Sequence, residues 1–154
     1  MMIKNERQYR ITKTQAEKFA QALAQIEQTP QSKQAPQSDP TADGHLLLQQ
    51  AQADALRSQL ATLREEISAY ENLRSGKERV FLSQSFDELP TALIKARIAA
   101  GLSQKDLAER LGLKEQQVQK YEATDYTSAS LERVRAVIRA LGVTVKEEVS
   151  IAGR

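Results

Sequence analysis

Glu115, Gln116, Gln117, Gln119 and Lys120 crowd one short stretch, KEQQVQKYE at 114–122, and between them they carry both donors and acceptors. Gln can pair bidentately with adenine, Glu can accept from the cytosine amino group, and Lys can donate to guanine or to a phosphate. These are the groups needed to read base edges. They work only on a rigid support, and the intervening Val118 and Tyr121, three residues apart, provide the inward side of a short helix running from Lys114 or Glu115 to Glu122 or Ala123.

The stretch upstream, GLSQKDLAERLG at 101–112, reads as a second short helix with both ends marked. Ser103 caps it, Asp106 three residues later completes a capping box, and Leu102 and Leu107 take the two positions of a hydrophobic staple. The helix therefore starts at Gln104. It runs to about Leu111, where Gly112 can adopt the left-handed conformation that ends it. Ala108 is small on the inward face, so another helix can cross closely there. Leu102, Leu107, Ala108, Leu111, Leu113, Val118 and Tyr121 then face one core from two helices joined by a tight turn.

With RIAAGLSQKDLAERLG, LKEQQVQKYE and SLERVRAVIRALGV in sequence, residues 89–143 resemble the phage-repressor-like DNA-binding domain of the lambda repressor, Cro and Xre type. The resemblance covers roughly a third of the chain. It implies double-stranded DNA as partner, base reading by Glu115, Gln116 and Lys120, and phosphate or backbone contact by Gln104, Lys114 and Gln117. It also implies a partly buried ion pair between Arg97 and Glu122 that orients the recognition helix. Two positions depart from the family pattern: Lys114 stands where Ser or Thr often caps, and Glu115 brings an anion toward DNA phosphates. In the polar loop ATDYTSAS that follows, Tyr126, Thr127 and Ser128 are candidates to bond phosphate oxygens.

The chain has 154 residues, 40% hydrophobic and 27% charged, which suits one domain or two small ones. No apolar run is long enough for a membrane span, and MMIKNERQYR lacks the apolar region of a signal peptide, so a cytoplasmic protein without membrane contact is expected. The absence of Cys excludes disulfides, a thiolate nucleophile and Cys-based zinc sites. Net charge is +2, and residues 87–142 carry nine Lys and Arg against eight Asp and Glu. A DNA-binding reading therefore rests on the motif rather than on a basic field, and a shallow salt dependence follows.

No enzyme is expected. His45 is the single histidine, at the start of a helix. Glu65 with Glu66, and Glu147 with Glu148, are adjacent residues that face different ways on a helix or strand. There is no phosphate-binding glycine loop and no metal-ligand spacing, hence no expected cofactor or metal.

Residues 1–76 read as a helical hairpin. Thr12 with Gln15 makes a capping box before Ala16, Phe19, Leu23 and Ile26, giving a helix that ends near Gln28. Residues 29–44, with three of the four prolines, read as a mobile linker. From His45 to about Ser75, Ala53, Leu56, Leu60, Leu63, Ile67 and Tyr70 form a heptad-like stripe. At 1.5 Å per residue the second helix is roughly 45 Å long and the first roughly 24 Å. Either the stripe is ordinary intramolecular core, or its uncovered part, Leu56, Leu60, Leu63, Ile67 and Tyr70, packs on a second copy or another protein.

Residues 77–86 are a connector in which Val80 to Leu82 is a short strand or a tether, residues 87–142 are the helix-turn-helix domain, and residues 143–154 are a strand and tail. Val143 to Ile151 alternates and is β-branched, and it would need Val80 to Leu82 or a second protomer's strand as partner. In the domain's last helix, after a Ser130 cap, Leu131, Val134, Val137, Ile138 and Leu141 turn inward.

The expected fold is thus mainly α: a repressor-like helix-turn-helix domain preceded by a long helical hairpin, with a short C-terminal β-strand. The expected function is a sequence-specific transcriptional regulator, a repressor able to control its own operon, bound as a homodimer to a near-palindromic site with half-sites about 34 Å apart. Two alternatives are an antitoxin that holds a toxin through the hairpin or the C-terminal strand, and a protein-interaction scaffold with little DNA binding.

Overall fold

Asn5 has an extended backbone, and its side chain accepts from the Gln8 amide at 2.9 Å, which gives the first free N–H groups of the chain a partner and starts a helix there. The structure is a computed structural model that describes residues 1–29 and 40–153, with only the backbone for 40–42. Helix α1 is Glu6–Gln28, so Thr12 lies inside it rather than at its start. It is one continuous helix of 23 residues, about 34 Å long.

Helix α2 is Pro40–Arg74, beginning five residues before His45. Of the expected linker, Pro40 to Gly44 is helical and residues 30–39 lie outside the described residues. The chain divides into two compact units, Met1–Ala69 and Tyr70–Arg154.

Within the first unit, α1 and α2 run antiparallel. The Met1 ammonium pairs with Glu66, Gln15 and Phe19 face Ser58, Gln59, Thr62 and Leu63 across a surface groove, and Glu27 pairs with Arg57 at 2.6 Å. Ala16, Ala53 and Leu60 are buried, while Phe19, Leu23, Ile26, Leu56, Leu63 and Ile67 are half-buried. Helix α1 is longer than the Thr12 start implies, and of the five stripe residues only Leu60 is buried within this unit, Tyr70 belonging to the second. Leu46, Leu47 and Leu48 are exposed.

The second unit opens on the buried Tyr70 and Leu73 at the end of α2. Gly76 is left-handed, and a Cβ there would stand 3.1 Å from the Ala99 carbonyl oxygen, so that approach suits glycine. A single 3₁₀ turn at Phe86–Glu88 leads into α3, Leu89–Ala99, with Pro90 in its first turn. Helices α4 (Gln104–Leu111), α5 (Glu115–Ala123) and α6 (Leu131–Leu141) complete the unit. Leu93, Ile94, Ile98, Leu107, Ala108, Val118, Val137 and Leu141 are its apolar core.

Among the described residues there are six α-helices and no β-strand or sheet, so the expected C-terminal strand is not formed. Residues 143–153 form no ladder, and Val149 and Ile151 are 95% and 96% exposed. Alternation of β-branched residues is not enough, since a strand needs neighbouring N–H and C=O groups to pair with. Val80 and Leu82 do not supply them, being 72% and 91% exposed in an irregular connector. Leu131 also differs from expectation: as the first residue of α6 it is exposed.

Candidate nucleic-acid interface

Helix α4 has a complete capping box. The Asp106 amide donates to Ser103 Oγ at 3.1 Å, and the Ser103 amide donates to Asp106 Oδ2 at 2.8 Å. The hydroxyl and amide of Ser103 hold the Asp106 carboxyl below its ordinary pKa. Gly112 ends α4 with φ of 65°, and the Leu113 amide returns to the Ala108 carbonyl at 2.9 Å.

Helix α5 begins differently. Lys114 has no side-chain acceptor for the free amides, and only the reciprocal half of a box exists: its backbone N–H donates to Gln117 Oε1 at 3.1 Å. Gln117 is thus engaged in starting the helix. Val118 and Glu122 are buried on one side, while Lys114, Glu115, Gln116, Gln117, Gln119 and Lys120 are exposed. Gln119 Nε2 donates to Glu115 Oε1 at 3.1 Å, so the anion at the helix start is held by an amide one turn later. Gln119 is a member of the exposed face that the family-derived assignment leaves out; its spacing of four from Glu115 is the signal that finds it.

Behind α5 lies a buried polar network. Arg97 Nε and Nη2 donate to the two carboxylate oxygens of Glu122 at 2.6 and 2.8 Å, and Arg97 Nη1 donates to the Leu102 carbonyl at 2.7 Å. Gln104 Nε2 donates to Glu122 Oε2 at 2.7 Å. Arg97, Gln104 and Glu122 are all buried, so one carboxylate joins α3, α4 and α5. Among the described residues no buried side-chain nitrogen or oxygen is left unsatisfied. Gln104 sits inside this network rather than turned outward.

The loop after α5 separates its three candidates. Asp125 and Tyr126 have φ of 48° and 59°, a left-handed pair costly for non-glycine residues. That turn drives Tyr126 inward, where it is buried and stacks on Tyr121 with ring centroids 6.0 Å apart. Burial first, and then the Glu122 charge, push its hydroxyl pKa upward. Tyr126 is therefore a core residue, not an exposed phosphate donor. Thr127 and Ser128 stay exposed; Thr127 Oγ1 donates to the Thr124 carbonyl at 2.8 Å, and the Thr124 and Ser128 hydroxyls are 3.1 Å apart.

Among the described residues no group of His, Cys, Asp and Glu is arranged to hold a metal ion, and no helix is long and apolar enough to cross a membrane. A helix-turn-helix family model matches residues 93–147. Those residues form an Xre-type helix-turn-helix domain, the kind typical of DNA-binding transcriptional regulators. No curated protein and no solved structure gives a significant match to the chain.

Proposed function

We propose that the protein is a sequence-specific transcriptional regulator that lays α5 in the DNA major groove and binds as a dimer to a near-palindromic site. The observation that carries this reading is the combination on α5 of an exposed donor-and-acceptor face with a reverse side clamped by Glu122. Gln116 and Lys120 read base edges, with Glu115 oriented by Gln119 to accept from a cytosine amino group. Lys114, Thr127 and Ser128 lie toward phosphates at the two ends of the helix. Gln104 serves from within, holding Glu122 and with it the angle between α4 and α5. Repression by covering a promoter is the mechanism that needs nothing further from the chain.

The near-balance of charge, nine basic against eight acidic side chains over residues 87–142, favours one rival, a scaffold that binds proteins rather than DNA. Gel-shift titration against the DNA upstream of the protein's own coding region separates the two. Tight binding that a Gln116→Ala, Lys120→Ala double variant loses while keeping its helical circular dichroism supports the regulator. Equally weak binding by both proteins supports the scaffold.

A further inference from the structure

The end of α4 and one face of α6 enclose an open groove lined by Arg110, Leu111, Arg133, Ala136, Arg139 and Ala140. Three of these six side chains are guanidinium groups and none is acidic. Arg133, Ala136 and Ala140 recur at helical spacing, so the alanines and Leu111 make a low apolar floor between the charges. Arg110 is tied down, donating from Nη1 to the Ala140 carbonyl at 2.9 Å, and its charge also acts on Asp106. Among the described residues Arg133 and Arg139 take part in no ion pair. A groove of this kind suits an extended segment with one carboxylate set among small apolar side chains.

The chain itself carries such a segment. In extended backbone, successive side chains alternate, so Val145, Glu147, Val149 and Ile151 share one side and Thr144, Lys146, Glu148 and Ser150 the other. The first side is apolar except for Glu147. Glu147, Val149 and Ile151 are exposed in the single chain, so the segment does not occupy its own groove. It leaves α6 at Gly142, two residues past the Ala140 rim, and the five residues from there to Glu147 span at most about 17 Å. Two copies that bring these rims together about a two-fold axis can each insert the segment into the other's groove.

We infer that residues 144–151 of one copy dock in the α4–α6 arginine groove of a second copy, Glu147 meeting Arg133 and Arg139, and that this reciprocal exchange forms the dimer. The inference rests on the dimeric reading above and names its surface. No strand pairing is required: side chains carry the contact.

Sedimentation equilibrium of the full chain tests it with wild type, Glu147→Arg, an Arg133→Glu, Arg139→Glu double variant, and an equimolar mixture of the two variants. Wild type should be a dimer, and each variant alone should dissociate with a Kd raised at least about tenfold. The mixture should regain wild-type association, because a heterodimer restores complementary charge at both grooves. A dimeric wild type whose Glu147→Arg variant associates equally well overturns the exchange while leaving the dimer standing, as does a mixture that fails to recover. A monomeric wild type at tens of micromolar overturns both. Glu147 lies on an exposed segment, so its variant remains decisive even if the groove variant fails to fold.

Discussion

In the hairpin unit the buried side chains of the two helices are apolar, Ala16 in α1 and Ala53 and Leu60 in α2, and the Arg57–Glu27 pair that crosses between the helices is half exposed. In the helix-turn-helix unit an apolar core is joined by three buried polar residues, Arg97, Gln104 and Glu122, whose hydrogen bonds reach across three helices. Apolar contact is non-directional and sets that two helices pair; a bidentate carboxylate has a direction and fixes how they pair. The directional contacts stand where the orientation of one helix has to be held for its exposed face to be useful. The hairpin has no such demand, and heptad-like spacing suffices.

Breaking the directional side should cost most. Glu122→Ala leaves the Arg97 charge buried without its partner and strips Gln104 of an acceptor, and a loss of about 3 to 5 kcal/mol is expected in urea unfolding followed by circular dichroism. A loss under about 1 kcal/mol would mean the network is decoration. On the apolar side, Leu60→Ala removes a buried side chain from the hairpin and should cost about 2 to 4 kcal/mol, with the helix-turn-helix unit still able to bind DNA.

A third test uses pH. Tyr126 is neutral and buried, with its pKa raised above the ordinary 10.0, so folding favours the protonated form. Its contribution is fully present below pH 10.0 and is lost as the pH rises beyond it. Wild type should therefore lose thermal stability between pH 10 and 11 by more than Tyr126→Phe does, with the two parallel at pH 7. The smallest effect belongs to Arg57→Ala: water screens the pair with Glu27, and urea unfolding of the hairpin should scarcely register its loss. A cost as large as that of Leu60→Ala would erase the distinction between the two units.

What was legible in the sequence follows the same division. The ends of α4 were readable because Ser103, Asp106 and Gly112 act within one turn of the chain, and local chemistry decides them. The start of α1 was not, since Asn5 and Thr12 are both competent caps and the choice depends on which free amides need a partner. The strand over residues 143–151 failed for a related reason: alternation describes one edge, while a sheet requires two. From sequence Tyr126 reads as a loop donor, because its polar neighbours resemble a solvated turn; only the left-handed pair with Asp125 and the stack on Tyr121 turn it inward. Gln104 shows the same limit, as its burial depends on Glu122, eighteen residues away. Outward polarity of α5 needed only the period of the helix, and the whole face was visible from residues 115–120.

The claim at the centre is that this face reads DNA sequence. The most direct measurement is selection from a random double-stranded DNA library with wild type and with Gln116→Ala, followed by titration of the enriched site and of single-base-pair changes in it. The expected result is a near-palindromic site for wild type, and for Gln116→Ala a loss of discrimination worth about 1 to 3 kcal/mol at one base pair per half-site, with the other positions and the melting temperature unchanged. Enrichment of no site by the wild type, or identical base preferences in the two proteins, would contradict it.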